Sequence, residues 1–267
     1  MNAAFDVGAD DGFHGIMFAF MNPKIKVFAF EPIKGSKNKI FENLRKIEKF
    51  FKLKITNYKI INVAVSDFNG KHIFYETDYK VASSLLKPEK KLNKFWTNST
   101  DHLFKTVVKG TKTKKCYKVK VLTLEKFCKK NSIKIINYLH VDAQGHDLKV
   151  IKGLKGFKKC LIEGVAEVPS NDKFKFYKKE QSFKELKKKF KTWKFKITNV
   201  EEIQKNFPYF NVYFKNDSVE TKIQNKIDFE YPTKRIERMF KRIFSDKVSW
   251  KDFIYYLFWK FKISIIQ

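Results

Sequence analysis

The segment Leu139-His140-Val141-Asp142-Ala143-Gln144-Gly145-His146-Asp147 closes an apolar run with several titratable side chains, which a purely structural turn does not need. Transfer of a group to a hydroxyl needs close alignment of the reactants and removal of one proton. Asp142 is the strand-end carboxylate. His146 carries an imidazole whose ordinary pKa, about 6.5, suits a base near neutrality. Asp142 and His146 are therefore the candidate catalytic residues. Each neighbour also has a plainer reading. Asp147 reads as a helix N-cap, and His146 can equally be a helix-entry residue bonded to backbone. His140 alternates onto the side of Asp142 and reads as a satisfied core histidine.

A second chemical segment lies near the start, Phe5-Asp6-Val7-Gly8-Ala9-Asp10-Asp11-Gly12-Phe13-His14-Gly15. Glycines after a first strand let backbone approach a ligand closely. The spacing is D-x-G-x-x-x-G rather than the G-x-G-x-x-G of dinucleotide binders. Nineteen residues after Gly12, Glu31 ends the next strand, where an acid can accept hydrogen bonds from ribose hydroxyls. Asp6 and Asp10 would repel a pyrophosphate. They suit a ligand bearing an ammonium and a sulfonium, as S-adenosylmethionine does. Val65 and Ser66, ending the stretch Asn62 to Asp67, are candidates for an adenine wall. The expected cofactor-binding set is Asp6, Gly8, Asp10, Gly12, Glu31, Val65, Ser66 and Asp142, with no metal site.

These residues need a scaffold that brings strand ends together. Short β-rich runs alternate with helical periodicity, the pattern of a parallel sheet with crossover helices. Strands are expected at 3–7, 26–31, 60–65, 117–122, 135–141 and 160–168. Residues 72–75 could add a short antiparallel strand, and 193–200 with 209–215 a closing antiparallel pair. Ser36, Thr123 and Ser182 read as helix caps. Residues 80–115 read as a long lysine-rich loop over one end of the sheet. The expected fold is α/β: a doubly wound, mostly parallel Rossmann-like sheet with a C-terminal antiparallel strand pair and a helical tail. The expected division is 1–216 for the α/β domain and 217–267 for a basic, aromatic tail.

Composition narrows the partners. The formal charge is +29, but only Arg45, Arg235, Arg238 and Arg242 among the 57 basic residues are arginines. Arginine makes the bidentate contacts that read phosphates and bases. The lysine excess, with abundant Asn, Ile and Phe, therefore reads as an AT-rich coding bias rather than a nucleic-acid footprint. Cys116, Cys128 and Cys160 are scattered with no CxxC, which favours a reducing cytoplasm over a disulfide framework. No run of 18 apolar residues marks a membrane span. In the tail, Ile236, Met239, Phe240 and Ile243 form one apolar stripe. Trp250, Phe253, Ile254, Leu257, Phe258 and Phe261 form a second. Packing on the domain or on a second copy is the favoured reading of residues 233–263; peripheral contact with an anionic membrane is the alternative.

Taken together the motifs resemble the FkbM family of O-methyltransferases. FDVGADDGFHG resembles its first motif, FAFEP its strand-two acid motif and NVAVSDFNG its third-strand motif. VKVLTLEKFC followed by YLHVDAQGHDLKVIKGL resembles the paired "x-x-T-L-D" and "K-I-D-x-E-G-x-E-x-x-V-L-K-G" stretch. Ala82-Ser83-Ser84-Leu85 matches a small-residue motif between them, and the likeness spans about residues 3–215. It implies methyl transfer from S-adenosylmethionine to a hydroxyl of a sugar, glycan or glycolipid. Two departures stand out: the usual Asn of the first motif is Asp10, and the acid of E-G-x-E is Gln144. Relatives carry a segment before the first strand, so the resemblance reads the start as trimmed or lacking a helix. A non-catalytic cofactor-binding or membrane-surface module is the alternative that Gln144 supports. A nucleic-acid methyltransferase ranks behind, because Asp142-Ala143-Gln144-Gly145 stands where amino-methylating enzymes carry Asn/Asp-Pro-Pro-aromatic.

Overall fold

The structure is a computed structural model that describes residues 1–89, 92, 96, 104–105, 108, 112–205, 207–217 and 230–247. Its first half runs β1 (Asn2–Val7), α1 (Phe13–Met21), β2 (Lys26–Phe30), α2 (Ser36–Phe51), β3 (Tyr58–Ile61), β4 (Ala64–Val65), β5 (Gly70–Thr77) and β6 (Thr113–Leu122). The second half runs α3 (Leu124–Lys130), β7 (Ile135–Val141), α4 (Asp147–Lys152), β8 (Leu161–Pro169), α5 (Phe183–Trp193), β9 (Phe195–Glu202), β10 (Tyr209–Asn216) and α6 (Lys234–Phe244).

Strand periodicity builds the layers. Ala3, Phe5 and Val7 turn to one face of the sheet, where they meet Leu124, Phe127, Leu148, Ile151, Leu186 and Phe190 of α3, α4 and α5. Ala4 turns to the other, with Val27, Ala29, Tyr138 and Val165, against α1, α2 and α6. Helices thus cover both faces of a seven-stranded sheet ordered β3-β2-β1-β7-β8-β10-β9. The first five strands in that order are parallel, and β10 runs antiparallel to both β8 and β9. This is the doubly wound, Rossmann-like arrangement with its antiparallel closing pair. The strand order reverses beside β1, so the β1 and β7 ends open a crevice of the kind that receives ligands.

Local chemistry sets the boundaries. Ile40, Ile47 and Phe51 recur on the buried face of α2, and Lys52 closes that helix in the left-handed conformation. Thr123 caps α3 by accepting the Lys126 N–H at 3.1 Å. The Glu185 carboxylate accepts the Ser182 N–H at 2.9 Å, pinning the start of α5. Ser36 is not a cap: it is already helical, and Gly35 precedes the helix.

The expected strand 60–65 is two elements. β3 ends at Ile61, the Asn62 amide donates to the Glu31 carbonyl at 2.8 Å, and β4 leaves to join a second sheet ordered β4-β6-β5. The chain is turned by a side chain anchored on the neighbouring strand, which alternation cannot reveal.

In α6 the expected stripe Ile236, Met239, Phe240 and Ile243 is buried against α1 and α2, with Phe240 touching Phe20 and Phe51. That face is covered by the domain and is closed to a membrane surface. The second stripe of the tail, residues 250–261, lies outside the described residues, as does much of the 80–115 stretch. Among the described residues no helix is long and apolar enough to cross a membrane.

Candidate active site

At the carboxyl ends of β1, β2 and β7 lies a cavity of about 230 Å³, lined by residues 7–11, 30–33, 63–65 and 142–144, with His146, His140 and His14. The loop after β1 turns on three left-handed residues, Gly8, Asp10 and Gly12. Asp10, at φ 43°, takes a conformation that short polar side chains tolerate best after glycine. The glycines serve packing as much as ligand approach. A Cβ on Gly8 would sit 1.9 Å from the Asp142 carbonyl oxygen, and one on Gly12 2.8 Å from Ile40. Gly8 therefore allows the β1 and β7 ends to close together.

Glu31 braces this loop. Its Oε2 accepts the Asp10 N–H at 3.0 Å and its Oε1 the Ile33 N–H at 2.7 Å. Burial pushes its carboxyl up to about 7, against the lowering effect of those two bonds. Burial also raises Asp10 and Asp142, the Asp142 shift being opposed by His140 and by the Gln144 amide. One wall thus carries Asp10, Asp11, Glu31 and Asp142, with Lys80 the lysine among its described lining residues. The same cavity has an apolar lining of Val63, Ala64, Val65 and Phe74. Acidic side chains and an apolar lining in one cavity fit a ligand with a cationic end and an aromatic end, as an aminoacyl sulfonium joined to adenosine has.

Several expected residues lie behind the cavity rather than on it. Gly12 and Ser66 are not on its surface, and neither is Asp6. Ser66 is fully buried, and its Oγ lies 2.8 Å from His146 Nε2. His146 does line the cavity, but it is buried, its Nδ1 has no partner, and desolvation brings its imidazole down to about 3. The His146 ring is therefore neutral and held by Ser66. Asp6 is turned to the α1 face by the alternation of β1. Its Oδ2 accepts the Gly15 N–H at 2.8 Å and its Oδ1 lies 2.9 Å from His140 Nδ1. His140 is therefore paired with a carboxylate rather than simply filling the core.

Gln144 occupies a tight turn at φ 51°. Its amide donates to Asp142 Oδ1 at 2.7 Å, and the Tyr177 hydroxyl lies 2.9 Å from its Oε1. The Ser84 hydroxyl donates to its carbonyl at 2.8 Å, so the Ala82–Leu85 motif anchors this turn. A second cavity, about 560 Å³, opens on the α1 side of β7 and β8. His14, His140 and Asp142 line both cavities. The sequence did not single out His14, Lys80, Phe74 or Glu167. Glu167 had a signal, an acid near the carboxyl end of a predicted strand just before Pro169; the others are placed by packing alone. No group of three or more His, Cys, Asp or Glu among the described residues is set to hold a metal ion.

A family model described as the methyltransferase FkbM domain matches residues 6–197. The 2-O-methyltransferase NoeI of Sinorhizobium fredii (strain NBRC 101917 / NGR234) is 22% identical over 158 residues, 56% of this chain and 56% of that protein. The chain thus spans about half the length of the curated relative it matches. A solved structure of M. capricolum TrmK with S-adenosyl-homocysteine aligns over 91% of this chain and 89% of its own at 13% identity and a TM-score of 0.38, too distant a likeness to bear on fold or ligand.

Proposed function

The chain belongs to the FkbM methyltransferase family, and from that premise we propose that it methylates a hydroxyl of a sugar, glycan or glycolipid with S-adenosylmethionine as donor. The observation that carries the reading is the pairing of two cavities at the β1 and β7 ends. The first holds the acids and apolar wall that suit the donor, and the second meets it at His14, His140 and Asp142. When bound, the donor supplies a methyl group on a positively charged sulfur. Glu31 is placed to accept ribose hydroxyls, Asp10 and Asp142 to face the cationic end, and Val65 to flank the base.

The second cavity supports a neutral or amine-bearing acceptor over a polyanion. Its described lining includes Glu167, Glu201 and Glu237 and no lysine or arginine, although the chain carries 57 of them. Phosphates would find no lysine or arginine among those described residues to pair with. Thr198, Asn199, Asn211 and Tyr213 offer the mixed donors and acceptors that sugar hydroxyls need. The NoeI likeness points the same way, toward oxygen. The test is calorimetry with S-adenosylmethionine, followed by incubation of the full chain with labelled donor and a panel of methyl glycosides. Micromolar donor binding and a labelled methyl ether are expected. Absence of donor binding would end the methyltransferase reading, and donor binding with label only on nitrogen would end the O-methyl reading.

A further inference from the structure

We propose that Asp6 and His140 form the proton-accepting pair of this enzyme, with His140 as the base for the acceptor hydroxyl and Asp6 as its positioning residue. The inference rests on the reading of the site as a hydroxyl methyltransferase. It assigns the base to neither of the residues that the sequence favours most openly, Asp142 and His146.

The geometry is that of a histidine held in one tautomer. Asp6 and His140 are register partners on adjacent parallel strands, and both turn to the α1 face. The 2.9 Å contact from His140 Nδ1 to Asp6 Oδ1 places the ring proton on Nδ1, facing the carboxylate. The carboxylate cannot swing away, because its other oxygen holds the Gly15 N–H at the start of α1. Asp6 is 1% exposed, so water does not compete for it. His14 stacks on the His140 ring at 4.1 Å and fixes its plane. In the neutral ring that leaves His140 Nε2 as the unprotonated nitrogen, without a hydrogen bond to any described residue, on a side chain that borders both cavities.

The alternatives fit less well. His146 Nε2 is engaged by Ser66, and the ring borders only the first cavity. Asp142 borders both cavities, but its Oδ1 is engaged by the Gln144 amide. Burial disfavours the His140 cation, yet the hydrogen bond and charge of Asp6, with the charge of Asp142, outweigh it and leave the imidazole above its ordinary range. The titratable groups beside the ring are Asp6 from β1, His14 from α1 and Asp142 from the end of β7, and the second cavity is also lined by Glu167 from β8, Glu201 from β9 and Glu237 from α6.

The step balances on these residues. His140 Nε2 takes the acceptor's O–H proton. The oxygen's electron pair forms the new O–CH3 bond, and the pair of the breaking S–CH3 bond goes to sulfur, which loses its charge. The imidazolium, held by Asp6, then passes the proton to water.

Two measurements test this on the full chain. The first needs no acceptor: nitrogen NMR of histidine-labelled protein with S-adenosyl-homocysteine added, the His140 signal being assigned by its loss in His140→Asn. At a pH above the His140 titration we expect the Nδ1–H tautomer in the wild type and a switch toward Nε2–H in Asp6→Asn, whose amide would donate to Nδ1. An Nε2–H tautomer in the wild type, or no response to Asp6→Asn, overturns the pair. The second uses methyl glucoside, galactoside and mannoside with labelled S-adenosylmethionine. Positioned bases contribute about 10²–10⁴-fold. His140→Asn and His140→Gln should therefore lower kcat at least about 100-fold, keep donor affinity within about threefold, and abolish the rise of kcat with pH that follows the His140 titration. More than a tenth of wild-type turnover in both variants overturns the base assignment. If no glycoside is methylated, the sugar reading fails while the nitrogen spectra still decide whether the pair exists.

Discussion

The Glu31 carboxylate accepts the backbone N–H of Asp10 at 3.0 Å, so the acid at the end of β2 holds the loop that follows β1. One side chain therefore shapes the loop after β1, and in the proposed reading its remaining lone pairs are the acceptors for the ribose. That dual duty predicts a cofactor affinity that depends on pH.

With its carboxyl raised to about 7 by burial, Glu31 is protonated in much of the free protein at pH 6. Two ribose hydroxyls bond more strongly to the ionised form, so binding lowers the pKa and expels a proton. S-adenosylmethionine affinity should rise between pH 6 and 8, with a binding enthalpy that depends on the buffer. Glu31→Gln should flatten this profile and weaken binding about tenfold, the order of a charge-assisted hydrogen bond. It should also lower the melting temperature, because an amide nitrogen would face a backbone N–H. A wild-type affinity that is flat across this range would remove Glu31 from the ribose.

Glu180 makes a stability prediction of definite sign. It is buried, its Oε2 accepts the Phe176 and Tyr177 N–H groups, and its Oε1 accepts the Tyr209 hydroxyl. Burial lifts its carboxyl to about 7. A raised folded-state pKa gives stability that is complete below the unfolded value, about 4.3, and is lost as pH rises through the folded value. Glu180→Gln keeps the oxygen acceptor, and its amide can donate to the Tyr209 oxygen. The variant should melt higher than wild type at pH 8, by the order of 1–2 kcal/mol, and show no gain at pH 5. Equal shifts at both pH values would contradict the burial account.

Gly8 and Gly70 separate crowding from backbone strain. Both have positive φ, but a Cβ on Gly8 meets the Asp142 carbonyl at 1.9 Å, whereas one on Gly70 meets nothing within 4 Å. Gly70→Ala should cost about 1 kcal/mol. Gly8→Ala must force apart the paired strands β1 and β7 and should cost at least ~3 kcal/mol, or roughly 10 °C in Tm for a domain of this size. Thermal melts of the two variants decide it; similar losses would mean that the β1 and β7 ends are not in such close contact.

The packing of α6 has its own test. Phe240 is fully buried among Phe20, Phe51 and Phe244. Phe240→Ala should destabilise the whole domain by about 3–5 kcal/mol in one cooperative transition. A melt that matches the wild type would make α6 a detachable appendage, and the division at 216/217 would then stand as a domain boundary.

Alternation and spacing along the chain determined the α/β class, the order of most strands, and which segments end at the ligand side. Each of these is written within a few residues: short, mostly apolar runs in β1 and β7, a glycine turn after β1, an acid at Glu31, polar residues after Val141. Parallel strands all present their carboxyl ends to one edge, so such local signals suffice to place Gly8, Glu31 and Asp142 together. What the tertiary structure decided is which polar groups meet. Asp6 and His140 are 134 residues apart, and Ser66 and His146 are 80 apart. Periodicity says which face a side chain takes, but not which residue of a neighbouring strand lies opposite it. That register is set by the crossover helices and by packing at Gly8. The second cavity has the same origin: it forms where β7, β8, β9, β10 and α6 converge, and its acid lining is spread over residues that no short window of sequence holds together.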